Sequence, residues 1–222
     1  MFSKEMLALF GQGILETFYM VLVSTAFAYI IGLPLGIILV CTDKEGIRPN
    51  APVNAVLGFI VNFVRSAPFI ILLIAIIPFT RWVVGTTLGS TATIVPLVVG
   101  AAPFVARMVE SSLKEVDRGV VEAAQSMGAT DWQIITRVLL PEAKPSLVVG
   151  STIAITTILG YSAMSGFVGG GGLGDIAIKY GYYRYQTDVM LITVLLLVVI
   201  VQIFQEIGMR FARKTDKRSN QN

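Results

Sequence analysis

The stretch E-A-A-Q-S-M-G-A-T-D-W-Q-I-I-T-R-V-L-L-P, Glu122–Pro141, lies between two long apolar segments. Residues from about Asp117 to Met127 are good helix formers, with Glu122, Ala123 and Ala124 at their centre. Gly128 then suits a left-handed C′ position, where a side chain would be strained. Thr130, with Gln133 three residues on, forms a capping-box pattern that starts a second helix over about 131–139. Pro141 and Pro145 restrict the lead into the next apolar run. The spacing therefore predicts helix, glycine turn, helix over roughly 115–141. So polar an insert belongs outside the hydrocarbon. It is either a rigid knob that docks in a partner's groove or an amphipathic hairpin lying on the membrane surface.

The flanking sequence predicts an all-α integral membrane protein. The chain is 55% hydrophobic and only 14% charged, and its apolar residues come in long runs rather than along faces. Five spans are read, at roughly 14–41, 54–79 (interrupted by Arg65), 89–112, 144–167 and 188–209. Each must satisfy its own backbone hydrogen bonds, and no ten-residue alternation marks a barrel. Phe18–Val40 is uncharged, too long for the apolar core of a signal peptide, and no small-x-small cleavage site follows. One domain over 1–222 is expected. Pro34, Pro68, Pro78, Pro96 and Pro103 fall within spans and predict kinks in a packed bundle.

Lysine and arginine set the expected orientation. With the N-terminus outside, the inside holds Lys44, Arg48, Arg107, Lys114, Arg118, Arg137, Lys144, Arg210, Arg213, Lys214, Lys217 and Arg218. The outside holds Lys4, Arg81, Lys179 and Arg184. This bias predicts N-out, C-in, with the 122–141 loop in the cytoplasm. The cations cluster at segment ends, which suits a membrane flank and lipid headgroups rather than nucleic acid. The chain has no histidine, which excludes Ser-His and Cys-His dyads and His-ligated metal within it. Its single cysteine, Cys41, forms no internal disulfide and carries no information on compartment.

The loop resembles the EAA loop of ABC-importer permeases through Glu122, Ala123, Ala124, Gly128, Val138, Leu140 and Pro141. Val138 stands where that family usually has isoleucine, which keeps the apolar character. The resemblance extends to the methionine ABC-importer permeases through I-I-G-L-P-L-G (Ile30–Gly36), F-V-R-S-A-P-F-I-I-L-L (Phe63–Leu73) and I-P-F-T-R (Ile77–Arg81). It continues through I-V-P-L-V-V-G-A-A-P-F-V-A-R-M-V-E (Ile94–Glu110), G-Y-S-A-M-S-G (Gly160–Gly166) and Y-G-Y-Y (Tyr180–Tyr183). It implies a type I importer permease in the bacterial inner membrane, working as a homodimer with two ATP-binding subunits and an external methionine-binding lipoprotein. Those seven loop residues would contact the ATPase. The cargo would be L- and D-methionine, with another amino acid as the alternative. No P-loop sequence is present, so no cofactor is expected in this chain, and ATP-Mg would be bound by the partner subunit.

Candidate pathway or gate residues are Arg65, Ser66, Pro68, Tyr161, Ser162 and Met164. An ionisable residue within a span faces water or a partner, or ends a helix and snorkels. The fourth span is rich in small residues that permit close helix approach, and its Met164 is either packing or a soft wall for a thioether. Arg107 and Glu110 read as ordinary membrane-edge charges. Val168–Gly174 contains a formal G-x-G-x-x-G, but it follows an apolar span and no βαβ unit is available. A flexible external or re-entrant loop is expected there. An intramembrane serine hydrolase and a non-transporting scaffold are the alternatives from other classes; both leave the patterned loop unexplained.

Overall fold

Hydrocarbon offers no partner to a backbone amide, so a chain this apolar is driven to helix. In the computed structural model, which describes residues 4–215, every regular element is helical. Lys217 and Arg218 of the basic tail lie outside the described residues. In chain order the helices are α1 (Lys4–Thr42), α2 (Ala51–Ser66), α3 (Phe69–Ala75), α4 (Ile77–Val84), α5 (Ser90–Lys114) and α6 (Arg118–Ser126). There follow α7 (Asp131–Ile134), α8 (Leu140–Glu142), α9 (Lys144–Met164), α10 (Gly172–Ile176) and α11 (Thr187–Thr215). A π-helical turn, Ile135–Leu139, joins α7 to α8, and short irregular helices, Ser165–Val168 and Ala177–Tyr182, flank α10.

Helix α1, helix α5, the Lys144–Tyr182 stretch and α11 are long and apolar enough to span a bilayer, and α2 with α3, bent by 101°, pass the same test together. Four spans, or five with the broken pair counted as one, agree with the expected number. Helix α1 begins near Lys4, well before the apolar run, because charged Lys4, Glu5 and Glu16 are compatible with helix once it projects from hydrocarbon. The second span bends by 101° between Ser66 and Phe69, at Pro68, which is the N-cap of α3, and Pro78 lies in the first turn of α4. A proline's missing N–H costs nothing at a helix start. Pro34 lies inside α1, and Pro96 and Pro103 lie inside α5.

The described residues group into two compact units. One gathers Ala28–Ser66, Ala102–Ile153 and the chain from Glu206 onward. In it α1 and α5 approach closely through glycines one turn apart. A Cβ built on Gly32 would lie 2.7 Å from the Ala102 carbonyl oxygen, and one on Gly36 would lie 2.6 Å from that of Ala106. Small residues bring backbones together where apolar tails offer no hydrophobic drive. Leu39, Val61 and Ala106 are buried beside this seam, with Leu35 and Leu57 packed against them. Asn54 on α2 donates to the Leu39 carbonyl at 2.7 Å and to Thr42 Oγ1 at 3.2 Å, which ties the start of α2 to the end of α1.

The other unit gathers the chain up to Phe27, Ala67–Ala101 and Ala154–Gln205. At its centre is the glycine run, for which a flexible external or re-entrant loop is expected; the run is largely buried and hydrogen-bonded rather than open. Gly169, Gly171 and Gly172 take positive φ, and Gly172–Ile176 is buried throughout. Glu16 accepts from the Gly172 N–H at 2.7 Å, and Thr17 Oγ1 accepts from the Leu173 N–H at 2.9 Å. Thr93 Oγ1 donates to the Gly170 carbonyl at 3.0 Å, and the Gly89 N–H to that of Gly169 at 2.9 Å. The turn is thus held from α1 and α5.

Replacing Gly36 by leucine should force α1 off α5 and destabilise the protein by about 1–3 kcal/mol, the usual range for overpacking. The check is thermal unfolding in detergent. Gly11→Ala, at a glycine with nothing within 4 Å of a built Cβ, should leave the midpoint unchanged or raised.

Candidate functional site: the α6–α7 corner and the helix break at Pro68

The corner begins at Asp117, whose side chain caps α6 by accepting from the Gly119 N–H at 2.7 Å. Helix α6 ends in a full Schellman motif. The Gly128 N–H donates to the Gln125 carbonyl at 2.9 Å and the Ala129 N–H to that of Ala124 at 3.1 Å. Gly128 has φ +77°, the left-handed geometry that the motif demands. The capping box is complete: the Gln133 N–H donates to Thr130 Oγ1 at 3.4 Å, and the Thr130 N–H to Gln133 Oε1 at 2.9 Å. Both ends of the turn are therefore satisfied locally, which makes it stiff.

The second arm does not stop where the sequence predicts. Helix α7 passes into the π turn and α8 and reaches α9 with little interruption: the Leu140 N–H donates to the Ile135 carbonyl, the Ala143 N–H to Leu139 at 3.0 Å and the Leu147 N–H to Ala143 at 2.9 Å. Pro141 is the cause. It has no N–H to give Arg137, and the wider π turn relieves its ring of that carbonyl. The corner is thus a nearly continuous extension of a spanning helix.

Of the seven loop residues, Glu122, Ala123, Gly128 and Pro141 are exposed, Val138 and Leu140 are half-buried, and Ala124 is buried with Ile134 and Leu139. Two large apolar side chains flank the glycine turn, Met127 at 82% and Trp132 at 72% exposure. On an otherwise polar insert, such exposure marks a surface that another body covers. Beside the corner lies a cleft of about 640 Å³ whose walls include Cys41, Asp43, Glu45, Lys114, Arg118 and Glu122. Arg118 pairs with Glu45, and Arg48 with Asp131 at 3.4 Å. Lys114 Nζ lies 2.6 Å from Asp43 and 3.0 Å from Glu110. The Lys114 hydrogen bond holds the Asp43 carboxyl below its ordinary value. The lowered value favours the ionised form, so the pair is intact at neutral pH and is lost as pH falls through it.

The pathway candidates fall at the end of α2, at the start of α3 and in α9. Arg65 is exposed in the last turn of α2, Ser66 Oγ donates to the Asn62 carbonyl at 2.8 Å, and Pro68 opens α3 with ψ 131°. Arg65 therefore ends a helix, one of the two readings open for it. Tyr161 is half-buried and stacked on Phe69, with ring centroids 4.3 Å apart and planes 3° apart. Ser162 is buried and donates to the Leu159 carbonyl at 2.8 Å, while Met164 is 45% exposed. Arg107 and Glu110 are not ordinary solvated charges. Glu110 is 8% exposed and pairs with both Arg107 and Lys114. Their i, i+3, i+7 spacing on α5 was the available signal.

Comparison with known proteins agrees with this geometry. Residues 32–217 match the family model of the binding-protein-dependent transport system inner membrane component. A probable D-methionine transport system permease protein MetI from Vibrio cholerae is 55% identical over 203 residues, covering 91% of this chain and 90% of that one. The D-methionine transport system permease protein MetI of Escherichia coli K12 is 52% identical over 164 residues, 74% of this chain and 76% of that one. A solved inward-facing structure of the MetNI methionine ABC transporter superposes with TM-score 0.95 at 49% identity, covering 97% of this chain and all of that one (100%). An amino acid ABC transporter with histidines shares the fold alone, at TM-score 0.78 and 20% identity. The chain belongs to the family of binding-protein-dependent transport system inner membrane components, the multi-pass permease subunits of ABC importers.

Proposed function

We propose that this chain is the permease subunit of an ATP-driven importer that moves methionine, of both L and D configuration, into the cytoplasm. The cargo reading is supported by the MetI relatives and by the MetNI neighbour, whose names specify methionine transport. The working assembly is a homodimer with two ATP-binding subunits that hold ATP-Mg, served by an external methionine-binding lipoprotein. The N-terminus lies outside and the α6–α7 corner in the cytoplasm, a reading supported by the excess of lysine and arginine at that end.

The observation that carries the coupling role is the exposed Met127–Trp132 pair on a stiff glycine corner that continues into α9. Seating Met127 in an apolar groove of the ATPase would contribute about 1.5–3 kcal/mol. Because the turn is satisfied on both sides and the second arm runs into a spanning helix, a displacement of the knob becomes a displacement of α9 rather than a local deformation. Arg65, Ser66 and Pro68 at the helix break, and Tyr161, Ser162 and Met164 of α9, are the gate or pathway candidates.

Three outcomes are expected. In vesicles that carry permease, ATPase and binding protein, ATP-dependent uptake should follow L-methionine and D-methionine, with other amino acids taken up poorly. Equal uptake of an unrelated amino acid would move the substrate assignment. Gly128→Pro removes an N–H that closes the Schellman motif and forbids positive φ. It should abolish substrate-stimulated ATPase activity while the protein still inserts and spans; unchanged stimulation would sink the coupling role. Finally, in a Cys41→Ser background, a cysteine at Met127 should react with a membrane-impermeant maleimide only from the cytoplasmic side, and a cysteine at Tyr185 only from the outside.

A further inference from the structure

The α5 residues Arg107, Glu110 and Lys114 lie along one helix face and form a continuous ladder of charge. Glu110 is the buried centre, with one carboxylate oxygen facing Arg107 Nη1 and the other Lys114 Nζ. Each cation reaches a second element. Arg107 Nη2 donates to Asn62 Oδ1 at 2.9 Å and to the Gly58 carbonyl at 3.3 Å, both on α2. Lys114 Nζ lies 2.6 Å from Asp43, the first residue of the 43–50 segment between α1 and α2. That segment also meets both arms of the corner, through Glu45 with Arg118 of α6 and Arg48 with Asp131 of α7.

The two outer pairs are largely exposed and contribute little hold. The inner ladder differs. A carboxylate this buried is stable only while both cations attend it, so α2, the 43–50 segment and α5 must keep register around Glu110. Helix α2 ends at Arg65 and Ser66, where the span breaks. A route thus exists from the α6–α7 corner through the end of α5, which Lys114 closes just before α6 begins at Arg118, to the 43–50 segment and α2, separate from the direct arm into α9.

We infer that Glu110 is a positioning residue for transport: through Arg107 and Lys114 it locks α2 and the 43–50 segment to α5, so that movement of the α6–α7 corner reaches the broken span. This rests on the coupling role of that corner. It adds to that role a second transmission line, set by buried charge rather than by helix continuity.

The test uses the complete transporter, permease with ATPase and binding protein, in proteoliposomes. The variants are Glu110→Gln, Lys114→Gln and Lys114→Arg, with Gly128→Pro as comparator, and the readout is substrate imported per ATP hydrolysed. Glu110→Gln and Lys114→Gln should lower that ratio by about fivefold with ATP hydrolysis largely kept, in line with coupling energies carried by residues that touch neither ligand. Lys114→Arg keeps the charge and should restore the ratio. A wild-type ratio in both glutamine variants, or import and hydrolysis falling in proportion in an assembled complex, overturns the inference. Should Glu110→Gln not assemble, the contrast between Lys114→Gln and Lys114→Arg decides. If Gly128→Pro leaves coupling intact, the corner's role fails first; if it uncouples and the glutamine variants do not, the ladder alone fails.

Discussion

A backbone N–H or C=O left without a partner in hydrocarbon costs several kcal/mol, and the buried turns of this chain are built around that cost. The glycine run is the clearest case. It turns back sharply at Gly169–Gly172 among buried residues, where an open loop could not persist. It does so only because Glu16, Thr17 and Thr93 offer side-chain oxygens to its backbone. Ordinary residues could not take the positive φ values, and side chains at Gly171 or Gly172 would strike Glu16 and Thr17. The glycines that mimic a nucleotide fingerprint are there for backbone geometry and close packing.

The same cost explains why the α6–α7 corner is a suitable mechanical part. A lever loses motion wherever its joints are soft, and soft joints are backbones with unmet hydrogen bonds. The Schellman motif closes one side of the Gly128 turn and the capping box closes the other. The π turn carries the helix past Pro141 without letting go of it. What is left unmet on the corner is apolar rather than polar, namely Met127 and Trp132. That is the signature of a surface shaped for a partner and not for water.

Much of this was legible from residue types and spacing, and what was not has a common cause. The Thr130–Gln133 box, the left-handed Gly128 and the helix ending at Arg65 and Ser66 are local events, decided within a few residues. The burial of the glycine run was not legible because its partners lie on other helices; Glu16 and Gly172 are separated by 156 positions. The π turn was missed because helix continuity past a proline depends on how far the preceding carbonyls can open. The surroundings of Glu110 were not legible because burial is a tertiary property. Its spacing to Arg107 and Lys114 is a local signal, yet nothing local says whether that face meets headgroups or α2.

Burial also decides how the charges should be weighed. Arg48 and Asp131 resemble Lys114 and Glu110 as a pair on paper, but side-chain exposures of 84% and 47% leave the first pair to solvent. Such a pair contributes at most about 1 kcal/mol and can open and close freely. Glu110, 11% exposed at its side chain, is different in kind. Breaking a buried pair costs about 3–5 kcal/mol, while well-packed apolar side chains in its place would often be as stable or more so. Stability alone therefore gives no reason to put a carboxylate there. What a buried charge supplies and a methyl group does not is register, since Arg107 and Lys114 must each stay within hydrogen-bond reach or the cost falls due. In a subunit whose work is to move helices together, that intolerance of slip is a useful property of the joint between α2 and α5.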